Sequence, residues 1–194
     1  MELSGTVRDT LASRWAHGCS WRPLISGIGP QLALIILLLS LPACRGTRSL
    51  DEGWKPSRPI DFTYEMGGKQ TKLSRLRGRP LVLVLMRTSE LPSQAYMKEV
   101  SQAFTKIAGV VRFLVLTIEQ MEAPFVGPYA EAEQLPFPIG VAEPDVGNGL
   151  SPLGLIPTTP TTYLIDSKGR VYDAAAGLVK SDQLIEAIQH VDKR

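Results

Sequence analysis

Residues 159–170 read Thr-Pro-Thr-Thr-Tyr-Leu-Ile-Asp-Ser-Lys-Gly-Arg, and this stretch is the most informative about the fold. Its segment Thr161–Ile165 is rich in β-branched and aromatic side chains, which is typical of a strand. The next four residues, Asp166-Ser167-Lys168-Gly169, have the composition of a turn, and residues 170–172 begin a second strand-like segment. The stretch therefore predicts a β-hairpin.

Outside the hairpin, strand and helix patterns alternate. Leu81–Met86 is a continuous apolar run, as expected for a strand buried on both faces, and residues 110–118 predict another strand. Between them, apolar residues recur with the spacing of one helix face, at Tyr96, Val100, Ala103, Phe104 and Ile107. Apolar residues between 184 and 191 predict a C-terminal helix, with Ser181 as its N-cap.

The remaining patterns are shorter. Residues 59–64 alternate and predict a first strand, followed by a turn at Gly67-Gly68. Residues 130–134 predict a short helix and residues 137–141 a short strand. Residues 142–159 are rich in Gly and Pro and predict a long loop. This order of elements implies an α/β fold, in which a mixed central sheet has helices on both faces.

The first 43 residues have the features of a secretory signal. Three arginines and two acidic residues precede an uncharged apolar run at residues 32–39, and small residues follow before Cys44. Leu41-Pro42-Ala43-Cys44 resembles the lipobox of bacterial lipoproteins, whose cysteine is acylated after the signal is cut. We therefore predict a lipoprotein signal over residues 1–43, a lipidated Cys44, a flexible tether over residues 44–57 and one domain over residues 58–194.

An uncleaved transmembrane anchor over residues 24–43 is the alternative, because this stretch is just long enough to span a bilayer. Gly27, Gly29 and Pro30 interrupt it. Both alternatives place most of the chain outside the cytoplasm and tether it to a lipid membrane, at the periplasmic face or the cell surface. Arg45 occupies the position that sorts many Gram-negative lipoproteins, and because it is not aspartate it favours the outer membrane.

The composition of residues 44–194 excludes several classes of function. These residues carry 18 Lys and Arg and 17 Asp and Glu, so no basic surplus indicates a nucleic-acid partner. Only one histidine, His190, and one cysteine, Cys44, remain in this part of the sequence. We therefore expect no disulfide, no metal site and no cofactor.

Two segments resemble thioredoxin-like proteins of the TlpA/ResA type, which are AhpC/TSA-like redoxins. Residues 159–170 resemble the cis-proline strand of that family and the hairpin after it, and residues 59–80 resemble its entry segment. The resemblance implies a thioredoxin-like fold, a cis bond before Pro160 and a groove beside Thr159 and Pro160. The alternative for Pro160 is an ordinary trans proline at the start of a strand.

The resemblance ends at the redox site. In the family, the strand corresponding to Leu81–Met86 leads into a Cys-x-x-Cys motif at a helix N-terminus, which lowers the pKa of a thiol. Here Glu90 and Ser93 occupy the two cysteine positions, and neither can form a disulfide. Ser93 or Ser89 is predicted to be the helix N-cap, the alternative role for Ser93 being a nucleophile. Glu90 is predicted to favour the helix dipole, the alternative being a catalytic carboxylate.

These features predict a redox-inactive, membrane-anchored lipoprotein with no catalytic residue. We expect it to bind an envelope protein or an extended peptide segment, because main-chain hydrogen bonds beside a cis-proline need no cysteine. One alternative is an oxidoreductase-like protein that uses a partner's thiols, or non-thiol chemistry through Glu90 and Ser93. Another is a purely architectural domain of an envelope complex. A fold resemblance alone does not decide among these functions.

Overall fold

Seven strands form one mixed β-sheet in the computed structural model, which describes residues 58–191. The strands are β1 (Thr63–Met66), β2 (Lys69–Lys72), β3 (Leu81–Met86), β4 (Arg112–Thr117), β5 (Ile139–Ala142), β6 (Thr161–Ile165) and β7 (Val171–Ala176). Their order across the sheet is β2-β1-β5-β4-β3-β6-β7. The predicted signal, the lipidated Cys44 and the tether all lie outside the described residues.

Four α-helices accompany these strands within the described range. They are α1 (Leu91–Ile107), α2 (Val126–Ala132), α3 (Pro144–Gly147) and α4 (Ser181–Ile188). Two 3₁₀ turns, Leu73–Leu76 and Gln120–Glu122, complete the regular structure. Among residues 58–191, no helix has both the length and the apolar character needed to cross a membrane.

Strand β3 lies at the centre of the fold, parallel to β4 and antiparallel to β6. All six of its side chains are buried, because both faces of the sheet are covered and successive side chains point to opposite faces. One face of the sheet includes Val82, Val84 and Met86, and the other includes Leu81, Leu83 and Leu85. The continuous apolar run in the sequence is therefore a consequence of this two-sided burial.

The two faces of the sheet are covered differently. Apolar side chains of α1, α2 and α4 pack into one core cluster with Val82 and its neighbours. The other face packs against the 3₁₀ turn Leu73–Leu76, against Val146 of α3 and against Leu153. The fold is α/β, with a mixed sheet and helices on both faces, which confirms the predicted fold class.

The predicted bounds hold for β3 and β6 and shift for the other predicted strands; β4, predicted over residues 110–118, spans Arg112–Thr117. Strands β3 and β6 have the predicted bounds, whereas β1 begins at Thr63. Strand β2 was not predicted, because Lys69–Lys72 contains no apolar residue. It lies at the edge of the sheet, where lysines discourage pairing with another chain. Gly67 and Gly68 make the turn before β2 with φ of 57° and 75°, which glycine adopts readily.

Three predictions for the second half of the chain need correction. Residues 142–159 are not one loop, because Ala142 ends β5 and α3 begins two residues later. The short helix predicted at residues 130–134 is α2, which begins earlier and ends at Ala132. Ser181 is the first helical residue of α4 and not its N-cap, which is Lys180. The Ser181 hydroxyl instead donates a hydrogen bond to Gln102 Oε1 on α1 at 3.2 Å, so it joins two helices.

Candidate functional site

The end of β3 and the start of β6 lie side by side and bring two loops together. Leu85 pairs with Thr161 across these antiparallel strands. Residues 87–90 lead from β3 into α1, and the Thr159–Pro160 peptide, which is cis, leads into β6. The Pro160 carbonyl accepts a hydrogen bond from Gly177 N–H at 2.7 Å. The fold therefore places the start of α1 next to Thr159 and Pro160.

Glu90 connects these two loops. It is the N-cap residue of α1, yet its side chain makes no capping hydrogen bond. Its Oε2 instead accepts a hydrogen bond from the Thr159 hydroxyl, and its Oε1 pairs with Arg87 Nη1 at 3.0 Å. The Glu90 side chain is 34% exposed. The carboxylate is thus accessible from solvent, and each of its two oxygens is held by a hydrogen bond or ion pair.

Ser93 is fully buried, with a relative exposure of 0%. It is the third residue of α1, and its hydroxyl oxygen accepts a hydrogen bond from Arg87 N–H at 3.3 Å. The Ser89 hydroxyl donates to Glu122 Oε1 at 2.7 Å. The prediction that Ser93 or Ser89 caps α1 is therefore wrong, because Glu90 is the N-cap residue, Ser89 precedes it and Ser93 lies within the first turn of the helix. A buried hydroxyl without a basic partner is also poorly placed to act as a nucleophile.

Glu122 organises the loop between β3 and α1, and sequence reasoning missed it. Its two carboxylate oxygens accept hydrogen bonds from Thr88 N–H at 2.7 Å, from Ser89 N–H at 3.0 Å and from the Ser89 hydroxyl. The Thr117 hydroxyl at the end of β4 also donates to it, at 2.5 Å. Nothing in the local sequence separates Glu122 from the nearby Glu119, because its partners come together only in the folded chain.

The hydrogen bonds to Glu122 keep this buried carboxyl group ionised. Burial by itself raises its pKa, because it disfavours the charged form. The donors from Thr117, Ser89 and Thr88 stabilise the carboxylate and outweigh burial, so they lower the pKa from 4.5 to about 2. A negative charge therefore holds the loop before α1 in place at neutral pH.

Large apolar side chains are exposed around the site. Leu91 follows Glu90 and is 78% exposed, and Met121, beside Glu122, is 82% exposed. Leu178 is 47% exposed and follows Gly177, the residue that hydrogen-bonds to the Pro160 carbonyl. Exposed apolar side chains such as Leu91 and Leu178, each next to a residue that hydrogen-bonds to Thr159 or Pro160, are typical of a surface that contacts another molecule.

The backbone beside Pro160 has an unused donor. Among the described residues, no acceptor receives a hydrogen bond from Thr159 N–H. The Thr159 carbonyl receives only a long contact of 3.4 Å, from the neighbouring Thr158 hydroxyl. An extended segment lying beside residues 158–160 could therefore form main-chain hydrogen bonds there. We call the area bounded by Glu90, Leu91, Thr159 and Leu178 the groove.

A separate open cavity of about 690 Å³ lies beside α2 and the start of β5. Its lining includes Met66, Val126 and Phe137, and none of the groove residues contributes to it. The residues predicted from the sequence do not line this cavity. Glu90, Ser93, Thr159 and Pro160 all lie together at the end of β3, and Cys44 lies outside the described residues.

Several solved structures of thiol–disulfide proteins have a similar fold. A DsbF homologue from Corynebacterium diphtheriae has a TM-score of 0.62 and 14% identity, over 76% of this chain and 94% of that chain. A thioredoxin-family thiol:disulfide interchange protein from Chlorobium tepidum has a TM-score of 0.55 and 22% identity, over 70% and 97%. The exposed lipoprotein thioredoxin of Streptococcus pneumoniae has a TM-score of 0.55 and 18% identity, over 66% and 98%.

These similarities define a thioredoxin-like fold. No protein-family model matches the sequence, and no curated protein matches it. The sequence has no cysteine between residues 58 and 191, so the groove carries no thiol. Because one fold can serve many functions, the function has to be argued from the groove itself.

Proposed function

We propose that this protein is a membrane-anchored, extracytoplasmic thioredoxin-fold lipoprotein that binds an extended segment of a partner protein and carries out no thiol–disulfide exchange. One observation carries the proposal: the Thr159 N–H beside Pro160 is unpaired, and the exposed Leu91 and Leu178 each follow a residue that hydrogen-bonds to Thr159 or Pro160. A backbone donor flanked by apolar side chains suits a peptide in extended conformation.

The chemistry available in the groove favours binding over redox catalysis. A disulfide exchange needs a thiolate, and the only cysteines of the chain are Cys19 and Cys44. Ser93 is buried, and Glu90 is occupied by Thr159 and Arg87. The alternative in which these two residues perform non-thiol chemistry therefore has less support than binding.

Affinity and selectivity would come from different parts of the groove. Main-chain hydrogen bonds to the N–H and carbonyl of Thr159 would hold any extended segment, whatever its sequence. The exposed Leu91 and Leu178 would favour a segment with apolar side chains, because covering them removes apolar surface from water. The Glu90 carboxylate, already bonded to Thr159 and Arg87 but partly exposed, would disfavour an acidic residue near the start of α1.

The proposed location rests on Cys44 and on the locations of other proteins that have a similar fold. The stretch before Cys44 resembles a lipobox, and an acylated cysteine would anchor the chain to the membrane. Among proteins of similar fold, one is described as an exposed lipoprotein thioredoxin and another as a secreted thiol-disulfide isomerase. An extracytoplasmic place for this chain is consistent with both.

Site-specific photo-cross-linking in the native host tests the binding function. A photo-reactive residue at Leu91 of the full chain should give a light-dependent adduct with a defined partner. The same residue at Lys98, an exposed position further along α1, is the matched control and should give none. Adding Leu178→Asp should abolish the adduct at position 91, because a charge would replace the apolar side of the groove. Equal adducts at positions 91 and 98, or an adduct unaffected by Leu178→Asp, would contradict binding in the groove.

A further inference from the structure

The charged side chains of the domain are unevenly distributed. Residues 58–191 contain thirteen Lys and Arg and fourteen Asp and Glu, so the domain as a whole is nearly neutral. Four segments, residues 58–61, 73–80, 109–112 and 166–170, together contain seven of the thirteen cations and only two of the fourteen acids. The rest of the described chain therefore has twice as many acidic as basic residues.

These four segments meet on one surface, which we call the basic face. Gly78 N–H donates to the Ser167 carbonyl at 2.8 Å, and Ile60 N–H donates to the Gly169 carbonyl at 2.8 Å. Arg112 Nη1 donates to the Arg75 carbonyl at 3.2 Å, and Arg79 Nη1 donates to the Gly109 carbonyl at 3.0 Å. The cations of the basic face are Arg58, Arg75, Arg77, Arg79, Arg112, Lys168 and Arg170, and all except the half-buried Arg112 are exposed.

The two acidic residues in these segments, Asp61 and Asp166, already have hydrogen-bond or ion-pair partners within the basic face. Asp61 Oδ1 accepts a hydrogen bond from Ser74 N–H at 2.8 Å. Asp166 is buried, pairs with Arg170 Nη2 at 2.7 Å and also accepts from the Lys168 and Arg170 N–H groups. The other exposed cations of the face have no ion-pair partner within 4.0 Å among the described residues. Their charge is therefore available to a partner.

The basic face lies at the opposite end of β3 from the groove. Arg79 is two residues before the start of β3, and Glu90 is four residues after its end. Six residues of strand separate the two surfaces by roughly 20 Å. The first described residue, Arg58, belongs to the basic face, and Cys44 precedes it by 14 positions in the sequence.

We propose that the basic face docks on the anionic phospholipid headgroups of the membrane that holds the acylated Cys44, so that the groove points away from the bilayer. The proposal rests on the membrane anchoring in the proposed function, but it does not depend on what the groove binds. Clustered Lys and Arg close to a membrane anchor are attracted to the negative surface potential of anionic lipids. An acyl anchor and a basic patch together give more stable attachment than either alone.

The length of the tether explains why a second contact would matter. Fourteen residues can extend over about 45 to 50 Å, so the anchor by itself would fix neither the height nor the orientation of the domain. Val110, which is 70% exposed between Gly109 and Arg112, adds one apolar side chain to the same surface. The basic face would then present the groove to partners in the aqueous compartment.

Hydrogen exchange of the full acylated chain on vesicles tests this docking. The chain is reconstituted in phosphatidylcholine vesicles with and without phosphatidylglycerol, and amide exchange is followed in residues 73–80 and 166–170. We expect slower exchange in both segments on the anionic vesicles, and loss of this protection in high salt. The groove segments, residues 87–91 and 157–160, should exchange equally on both kinds of vesicle.

Charge reversal at three exposed arginines is the decisive variant. Arg75→Glu, Arg77→Glu and Arg79→Glu together should remove the protection, because each cation near an anionic surface is worth about fivefold in binding. Lys69→Glu, Lys72→Glu and Lys98→Glu change the net charge equally outside the basic face and should leave the protection intact. If exchange in β3 shows that the reversed variant does not fold, the corresponding Arg→Gln variants replace it and should weaken the protection.

Three outcomes would overturn the proposal. Equal exchange of residues 73–80 on neutral and anionic vesicles would exclude docking. Equal loss of protection in the arginine variant and in the lysine variant would show that the protection depends on net charge and not on the basic face. Protection by soluble heparin on neutral vesicles, with none from phosphatidylglycerol, would assign the face to a polyanionic partner. Release of the unaltered chain from neutral vesicles in high salt would instead contradict the anchoring at Cys44. The binding function of the groove is tested separately, by cross-linking at Leu91.

Discussion

The Thr159 hydroxyl donates a hydrogen bond to Glu90 Oε2, and this bond joins two residues that are 69 positions apart in the sequence. Thr159 is buried and immediately precedes Pro160, whereas Glu90 is the N-cap residue of α1 and is partly exposed. The contact therefore ties the first turn of the long helix to the strand that follows the cis bond. It lies at the position where the sequence resemblance places a redox motif.

A double-mutant cycle should detect this bond. Glu90→Ala and Thr159→Val should each lower the free energy of unfolding, and their effects should be non-additive by about 1 kcal/mol, because each variant removes the same hydrogen bond. The control pairs Glu90→Ala with Thr158→Val, since the exposed Thr158 does not contact Glu90. That pair should be additive within about 0.5 kcal/mol. Additive effects for Glu90 and Thr159 as well would show that the bond contributes nothing to stability.

Glu122→Gln should destabilise the domain at neutral pH. The neutral amide loses the charge that four donors stabilise, and its NH₂ group would face those same donors. The difference between a folded pKa of about 2 and an ordinary pKa of 4.5 corresponds to at most about 3.5 kcal/mol. Denaturant unfolding of both proteins near pH 7 measures the loss.

The pH dependence of that loss isolates the carboxylate. A group whose pKa is lowered in the folded state stabilises the protein above its unfolded pKa, and this contribution disappears as the pH falls toward the folded value. The stability difference between the unaltered chain and Glu122→Gln should therefore be full above pH 4.5 and should shrink as the pH approaches 2. A difference that stays constant over this range would mean that Glu122 acts through packing and not through its charge.

Gly140→Ala should lower the free energy of unfolding by about 1 to 3 kcal/mol. A Cβ at this position in β5 would lie 2.5 Å from the Glu65 carbonyl oxygen and 2.8 Å from Leu116 Cδ2, so β1 or β4 would have to move. Gly127→Ala is the control, because nothing lies within 4 Å of a Cβ there. In helix α2 that change should be neutral or stabilising by up to about 1 kcal/mol. Equal effects of the two substitutions on the unfolding midpoint would contradict the close packing of β1 against β5.

The elements that sequence reasoning located correctly are those with strong local signals. Leu81–Met86 and Thr161–Ile165 have continuous apolar or β-branched runs, and both strands have the predicted bounds. Strand β2 was missed because its four residues are polar and only its place at the sheet edge explains them. Burial produces a pattern that can be read in the sequence, whereas an edge strand can take almost any polar sequence.

The site shows the same division between local and tertiary information. The proximity of Glu90 to Thr159 follows from the way that β3 and β6 pair, so a fold resemblance was enough to bring them together. The roles of Ser89, Ser93 and Glu122 depend on which hydroxyl meets which carboxylate, and no spacing rule supplies that. The N-cap prediction failed because the helix begins after Glu90, so that Ser89 precedes the N-cap position and Ser93 lies within the first turn.

Cys44 should be the first residue of the mature chain and should carry lipid. The sequence around it resembles a lipobox, so the signal over residues 1–43 should be removed. Mass spectrometry of the protein extracted from host membranes should find an acylated N-terminal cysteine and no peptide from residues 1–43. A Cys44→Ser chain should retain its N-terminus or be lost from the membrane. An intact N-terminus in the unaltered membrane protein would favour the uncleaved anchor.

Two cysteines introduced at Glu90 and Ser93 test whether these residues occupy the positions of the family's redox motif. The variant also provides a thiol-containing comparison for the unaltered chain. These residues are the N-cap and the third residue of α1, a separation that matches Cys-x-x-Cys at a helix start. Glu90→Cys with Ser93→Cys should therefore form one reducible intramolecular disulfide under oxidising conditions. Two unreacted thiols would mean that the placement of the redox-motif positions is wrong.

Reduction of insulin disulfides tests most directly the claim that this thioredoxin-like domain functions without thiol chemistry. The unaltered chain, assayed with reductant and with no added thiol protein, should show the rate of a blank without protein, because its groove offers only the Glu90 carboxylate and the buried Ser93 hydroxyl. The Glu90→Cys and Ser93→Cys double variant serves as the comparison and should exceed the blank. Turnover by the unaltered chain above the blank would contradict the account.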